Sequence, residues 1–364
     1  MHAFVVVPCF NEEDGLAATC ASLGFGDGQS TPENVHLVLV DNGSTDRTHW
    51  IMKEIQDQSP LQTVTATHEP ERGFVPPRRR GIDVAHALAD ELAIGQDAVL
   101  IVQADADTLY APGYVAALVS AAKTAGSNTL LEGVTNVPLG FATAHADYLA
   151  LCARVDTTVR DLCVPTADDV IADDKVCAYR LADYFAWGEH QREHDPDGEE
   201  IHAETSRLYM RARTVGAHKV PINTAIAWPS RRKVYEHPVL YFISDGFPHG
   251  GQWSARWRQS HPEMTGFDAL SRPGPARTEA IFLRQAHELI LFGVLPAWIA
   301  HTIGRTSIPN ALARRLAPLV DSLPVLTPES LRSSPGIALW IATNIIEKRP
   351  EDLRRFLWEN AAPL

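Results

Sequence analysis

Val99-Leu-Ile-Val-Gln-Ala-Asp-Ala-Asp-Thr-Leu-Tyr110 is the stretch on which the fold turns. Four consecutive aliphatics, Val99 to Val102, suit a strand covered on both faces, as in parallel sheets. The run stops at Asp105 and Asp107. Ligands of open α/β sheets bind beyond the carboxyl ends of the strands, so both acids stand where a ligand would stand. Carboxylate oxygens are hard ligands, and a pair of them at a strand end can hold Mg²⁺ or Mn²⁺ with positions left for phosphate oxygens; a solvated acidic turn is the alternative.

Working outward, the same plan recurs on the N-terminal side. Residues 3–7 are an apolar β-type run ending at Pro8, and Asn11-Glu12-Glu13 opens a helical segment with Leu16, Cys20 and Leu23 on one face. His36 to Val40 ends at Asp41, Asn42-Gly43 makes a turn, and Ser44 or Thr45 caps a helix carrying Thr48, Ile51, Met52 and Ile55 on its inner face. A weaker strand, Gln62 to Thr67, precedes Glu71-Arg-Gly-Phe-Val-Pro-Pro-Arg-Arg-Arg-Gly81 and a helix with Ile82, Ala85, Ala89 and Leu92 on one side. Strands alternating with helices imply an α/β fold with a mostly parallel sheet, and the loops carrying Asn11, Asp41 and Asp105 then gather on one edge. On the other side, strand-type runs return at Thr129–Thr135 and Val220–Ala227, with an irregular acidic stretch from Asp168 to Glu200 between them. Beyond about residue 240 the pattern becomes helical, broken by Pro296, Pro309, Pro318, Pro324 and Pro328. The expected organisation is a domain over 1–240, divided into halves 1–135 and 136–240, followed by a mainly helical region over 241–364.

The totals narrow the function classes. Of 364 residues, 45 % are hydrophobic and 21 % charged, as in an ordinary folded protein, and the net charge of −13 argues against a nonspecific hold on nucleic acid. Five cysteines without Cys-x-x-Cys spacing indicate neither a disulfide framework nor a zinc site, and the N-terminus shows no signal-peptide pattern, so a reducing, cytoplasmic location is expected. Leu289 to Ile303 is the most apolar later window; it falls short of the ~20 residues of a membrane span and contains Pro296, so it reads as a buried helix, with peripheral membrane contact as the alternative.

The three converging strand ends suit a nucleoside diphosphate, with amides and carboxylates toward base and ribose and a metal at the diphosphate. Val5-Val-Val-Pro-Cys-Phe-Asn-Glu-Glu13, Val38-Leu-Val-Asp-Asn-Gly-Ser-Thr-Asp-Arg-Thr48, Gly73 with Arg78 and Gly81, and Gln103-Ala-Asp-Ala-Asp107 stand in the order and at the intervals of the family 2 glycosyltransferases of GT-A fold, which this chain resembles over residues 3–135. The resemblance implies a Rossmann-like nucleotide-sugar-binding half, an acceptor half downstream, and Mn²⁺ or Mg²⁺ held by Asp105 and Asp107, chiefly the latter. It also implies that Pro8, Asn11 and Glu12 line the nucleoside pocket, that Asp41 and Asn42 face base and ribose, and that Arg78 lies near the diphosphate with Asp105. The family often has a second acid where this chain has Asn42.

Downstream the resemblance continues at Gly198-Glu-Glu-Ile-His-Ala-Glu-Thr-Ser-Arg-Leu-Tyr-Met-Arg211 with Gly216, where the family pattern selects Glu204, Thr205, Leu208 and Arg211. In inverting members the second acid of that motif is the general base, and Thr205 occupies its place here. Threonine is no base near neutral pH, so Glu204 is the first candidate and Glu200 the second. Ala227-Trp-Pro-Ser-Arg-Arg-Lys233 resembles a basic turn of part of the family, which puts Arg231 and Arg232 toward the diphosphate. Trp253 and Trp257 share a helical face, as core or as a sugar-stacking pair, and His190, His194 and His202 lie in a stretch expected to be a hydrated acidic loop.

The expected activity is therefore that of a hexosyltransferase-type glycosyltransferase (EC 2.4), which moves a sugar from a nucleotide-diphosphate donor to a hydroxyl of a glycan, lipid or small molecule, with metal dependence and inversion. The alternatives are a retaining GT-A transferase, a sugar nucleotidyltransferase, or an inactive nucleotide-sugar-binding protein.

Overall fold

Strand β1 (His2–Cys9) is apolar from Ala3 to Val7 because both its faces are covered: Val5 and Val7 pack into one core, Phe4 and Val6 into another on the opposite side. It lies between β2 (Val35–Asp41) and β4 (Val99–Gln103), parallel to both, and β3 (Val64–His68) pairs parallel to β2. With β5 (Thr108–Tyr110), β6 (Thr129–Thr135), β7 (Cys177–Arg180) and β8 (His218–Pro229), they form an eight-stranded sheet of order β3-β2-β1-β4-β7-β6-β8-β5. The sheet is mixed and mostly parallel, as expected: four of its seven strand pairings, β1–β2, β1–β4, β2–β3 and β6–β8, are parallel. β7 runs antiparallel to β4 and β6, and β5 antiparallel to β8. The opening stretch is thus two strands with the acids in the turn between them.

The computed structural model describes residues 1–247, 251–304 and 308–364, which form two units. The first comprises Met1–Val137, Ala172–Arg192 and Ala203–Ser230; the second comprises Pro138–Ile171, Glu193–His202 and Arg231–Leu364. The chain divides at 230 rather than near 240, and two earlier segments join the helical unit. The stretch from Asp168 to Glu200, expected to be irregular, contains β7 and the helix Leu181–Ala186, with Tyr179, Tyr184, Trp187 and His190 buried, whereas its acidic end, residues 194–200, lies at the surface.

In the second unit the apolar window lies inside a helix running from Pro275 to Thr302, long and apolar enough by composition to cross a membrane, with 83 % of its apolar window buried. The burial agrees with the expected buried helix, but its length exceeds the sequence reading. Pro296 lacks an N–H for the carbonyl of Phe292, and that carbonyl accepts instead from the Val164 N–H at 2.7 Å, so the helix continues through a π turn at Ile290–Val294.

Helix α1 (Leu16–Ser22) follows β1, α2 (Thr48–Gln58) follows β2, and α3 (Val75–Glu91) lies against β1 and β2 through Gly81. A Cβ on Gly81 would fall 2.3 Å from Val6 Cγ1 and 3.2 Å from Val40 Cγ2. This contact fixes the height of α3, and with it the position of Arg78 three residues earlier. Gly81→Ala should accordingly destabilise the first unit by about 1–3 kcal/mol, read as a lower urea midpoint; an unchanged midpoint would mean that α3 can lift off the sheet without cost.

Candidate active site

The turn that carries the two acids is clamped through its backbone. The Asp105 N–H donates to Tyr110 Oη at 3.0 Å, Ala106 O accepts from Thr19 Oγ1 at 2.9 Å, and Asp107 O accepts from the Ser230 N–H at 3.0 Å. Tyr110 Oη in turn donates to Lys175 O at 3.0 Å, which ties the turn to the segment ahead of β7.

Arg78 brings three carboxylates to this turn. Pro76 and Pro77, whose missing N–H groups cost nothing in a first helical turn, start α3 just before it. Its side chain is 6 % exposed. Nε donates to Glu204 Oε1 at 2.6 Å, and Nη2 donates to Asp174 Oδ2 at 2.9 Å and Asp105 Oδ1 at 3.1 Å. Nη1 is buried without a hydrogen-bond partner. Glu204 is 6 % exposed, whereas the side chains of Asp105 and Asp174 are 30 % and 32 % exposed. Burial, and then the like charge of Asp174, push the Asp105 carboxyl up to about 6 against the pull of Arg78. Burial likewise raises Glu204, again against Arg78.

Helix α4 (Glu204–Arg213 in the first unit) carries Glu204 at its start and Thr205 next to it. Thr205 Oγ1 donates to Gln103 Oε1 at 3.0 Å, and Gln103 Nε2 donates to Tyr179 Oη at 2.7 Å; all three residues are buried. Position 205 is therefore part of the interior, where a hydroxyl can donate to the Gln103 oxygen and a carboxylate would meet it as a second acceptor.

The residues expected to face a nucleoside gather where β1 and β2 end, with Pro8 in register with Val40 and Cys9 with Asp41. Asn11, at φ 55°, donates its N–H to Ser44 Oγ at 3.0 Å and accepts from the Thr45 N–H at 2.8 Å; the Glu12 N–H donates to Thr48 Oγ1 at 2.8 Å. Asp41 accepts from the Ser44 N–H and lies 3.0 Å from His68 Nδ1; although burial opposes it, these partners hold its carboxyl below the usual range. Asn42 is buried and spends its amide donors on Glu69 O and Glu71 O, at 3.0 and 2.7 Å. Its side chain holds the loop, which leaves little of it to read a base. Beside it, Arg72 lies over the half-exposed Phe10 ring at 4.1 Å and donates to Gly43 O.

The structure thus joins Arg78, Asp105 and Glu204 directly and collects Pro8, Asn11, Glu12, Asp41 and Asn42 on the neighbouring strand ends. Glu200, Arg231 and Arg232 belong to the second unit, where Glu200 bridges His194 and Arg231 lies 5.8 Å from the Phe141 ring centroid. His190 lies buried in the first unit, whereas His194, exposed, and His202, half-buried, belong to the second. Asp174 and Gln103 escaped the sequence reading. The available signal was Asp173-Asp174-Lys175 directly ahead of the apolar Val176 and Cys177, an acid pair at the start of a strand rather than at its end.

Among the described residues no group of three or more His, Cys, Asp or Glu side chains is arranged to hold a metal ion. Asp105 and Asp107 alone are nevertheless suitable donors: hard oxygens in a turn where burial, and then the like charge of Asp174, raise Asp105, so that a divalent cation would favour its ionised form.

Residues 4–149 match the model described as Glycosyl transferase family 2. The succinoglycan biosynthesis protein ExoA of Rhizobium meliloti (strain 1021) is 30 % identical over 143 residues, covering 39 % of this chain and 38 % of that protein, so the match spans well under half the length of this curated relative. Among solved structures, S. aureus TarS 1-349 is 13 % identical over 96 % of this chain and 92 % of that one, at a TM-score of 0.44. The mannosyltransferase PcManGT from Pyrobaculum calidifontis, in complex with GDP-Man and Mn²⁺, is 17 % identical over 99 % and 86 %, also at 0.44.

Removing Arg78 leaves carboxylates crowded without their cation. Arg78→Leu should cost toward the lower end of about 3–5 kcal/mol in urea unfolding, because two of its partners are partly hydrated, and adding Glu204→Gln should restore part of the loss. Additive effects of the two substitutions would dissolve the coupling.

Proposed function

From the family 2 glycosyltransferase segment at residues 4–149 we propose that this protein transfers a sugar from a nucleotide-diphosphate donor to a hydroxyl acceptor, with a divalent cation and with inversion. The observation that carries the reading is the Arg78 guanidinium, bonded at once to the strand-end acid Asp105 and to the acid of the downstream motif, Glu204.

The donor's nucleoside lies against the loops of Pro8, Asn11, Glu12 and Asp41. Its diphosphate lies toward Asp105, Asp107 and the unpartnered Nη1 of Arg78, a buried donor suited to a phosphate oxygen. Mn²⁺ or Mg²⁺ would be held by Asp105 and Asp107, where it supplies charge neutralisation for the leaving diphosphate. The acceptor oxygen attacks the anomeric carbon, the bond from that carbon to the diphosphate oxygen breaks, and the leaving oxygen keeps the electron pair. The acceptor's proton passes to a carboxylate. Both Glu204 and Asp174 are bonded to Arg78, but Glu204 is 6 % exposed and Asp174 32 %, so in this reading Glu204 positions the arginine and the more open Asp174 takes the proton.

Three outcomes test this reading. Asp107→Ala should abolish Mn²⁺-dependent binding of nucleotide sugars in calorimetry, and unchanged binding would remove Asp107 from the site. Asp174→Asn should lower kcat by about 10²–10⁴ with donor affinity kept, whereas Glu204→Gln should raise the donor KM as well; the reverse pattern would return the proton to Glu204. Because Asp105 titrates near 6, cation binding below that pH must displace a proton, so Mn²⁺ affinity should fall by about tenfold per pH unit there and level off above it.

A further inference from the structure

Resting on the transferase reading, we propose that the second unit carries an extended saccharide-binding groove, centred on Trp253, which takes an oligosaccharide acceptor along two adjoining cavities.

The larger cavity, about 930 Å³, is walled by the helix Gly251–Ser260, the turn Phe267–Ser271 and the start of the helix Pro275–Leu289. The smaller, about 330 Å³, lies between the acidic segment 195–202, the same helix Gly251–Ser260 and the helix Pro335–Lys348. Trp253, Arg256 and Glu347 line both, so the cavities meet at these three residues. Each volume lies in the range of about 300–1,000 Å³ usual for a small-molecule site. Two of them in series suit a ligand built of linked units.

The lining selects the class of ligand. Trp253 and Trp257 lie one helical turn apart, but Trp257 is 7 % exposed and stacked on His261 at 3.9 Å, a core residue, whereas Trp253 keeps part of its surface. A partly open indole offers an apolar face to the C–H face of a sugar ring. Around it the polar groups are of both kinds, donors and acceptors: Arg256 paired with Glu347 at 2.5 Å, Arg272 and Arg277 in the larger cavity, Thr343 and Asn344 in the smaller. Such a set supplies both donors and acceptors, which suits hydroxyls that do both. In the smaller cavity the carboxylates of Asp195, Asp197, Glu199 and Glu200 disfavour a polyanion and an acyl chain alike. Among the described residues no strand of the eight-stranded sheet lines either cavity.

The test uses the full chain with cellotetraose, maltotetraose and chitotetraose, each beside its monosaccharide, followed by tryptophan fluorescence and calorimetry. At least one tetrasaccharide should bind about tenfold more tightly than its monosaccharide, Trp253→Ala should lower that affinity about tenfold, and Arg256→Ala, which breaks only a half-exposed ion pair, should lower it severalfold. The thermal shift given by nucleotide sugars with Mn²⁺ should stay unchanged in both variants. The groove is overturned if no tetrasaccharide exceeds its monosaccharide, or if both variants bind as the parent does. Loss of the donor reading shows separately: tetrasaccharide binding that depends on Trp253, with no donor-induced thermal shift in the parent, leaves the groove standing and removes the transferase.

Discussion

The candidate site depends on the buried positive charge of Arg78. An arginine cannot shed its proton, so a guanidinium that is 6 % exposed needs anions around it. Arg78 recruits them from positions 27, 96 and 126 residues away, at Asp105, Asp174 and Glu204. These acids come from the turn after β4, the segment ahead of β7 and the start of α4. The charge thereby draws together parts of the chain that the hydrophobic pattern alone would pack without a common register. The acids also need the arginine, since three carboxylates this close would raise one another's proton affinity, as Asp105 already shows.

Much of this was legible before any coordinates. Residues 99–107 announce a strand that ends in acids because full burial demands an unbroken apolar run and the end of the strand breaks it. The β1 and β2 loops are readable for the same reason, and Gly81 was visible as part of a motif, although its packing on Val6 was not. β7 is hidden because four residues, followed at once by the short helix Leu181–Ala186, carry too little periodicity to register. Its antiparallel direction, which makes the sheet mixed, has no local sign at all.

Other misses share that cause: the deciding partner lies far away in sequence. Pro296 reads as a helix breaker until Val164 appears opposite the freed carbonyl of Phe292. Asn42 reads as a base contact until Glu69 O and Glu71 O take its donors. Segment 193–202 has no apolar pattern, and only the contacts of Ile201 and Glu193, whose carboxylate accepts from the Gly336 N–H at 2.7 Å, show which unit it joins. The second unit also repeats the solution of the first, with Arg284, buried, held by Asp156 at 2.6 and 2.8 Å and by Asp245 at 2.8 Å.

The strand order bears on how the protein is made. β4 leaves the ribosome flanked only by β1, and the far neighbour of β5 is β8, whose residues 218–229 are translated about a hundred residues later. Throughout that interval the turn bearing Asp105 and Asp107 lacks the Ser230 clamp, and Arg78 lacks Glu204. The nascent chain therefore holds an incomplete sheet with open edges and a buried cation without its full complement of anions. A stop codon before residue 230 would release a product that has the loops after β1 and β2 but lacks the Ser230 clamp, a natural substrate for chaperones and proteases.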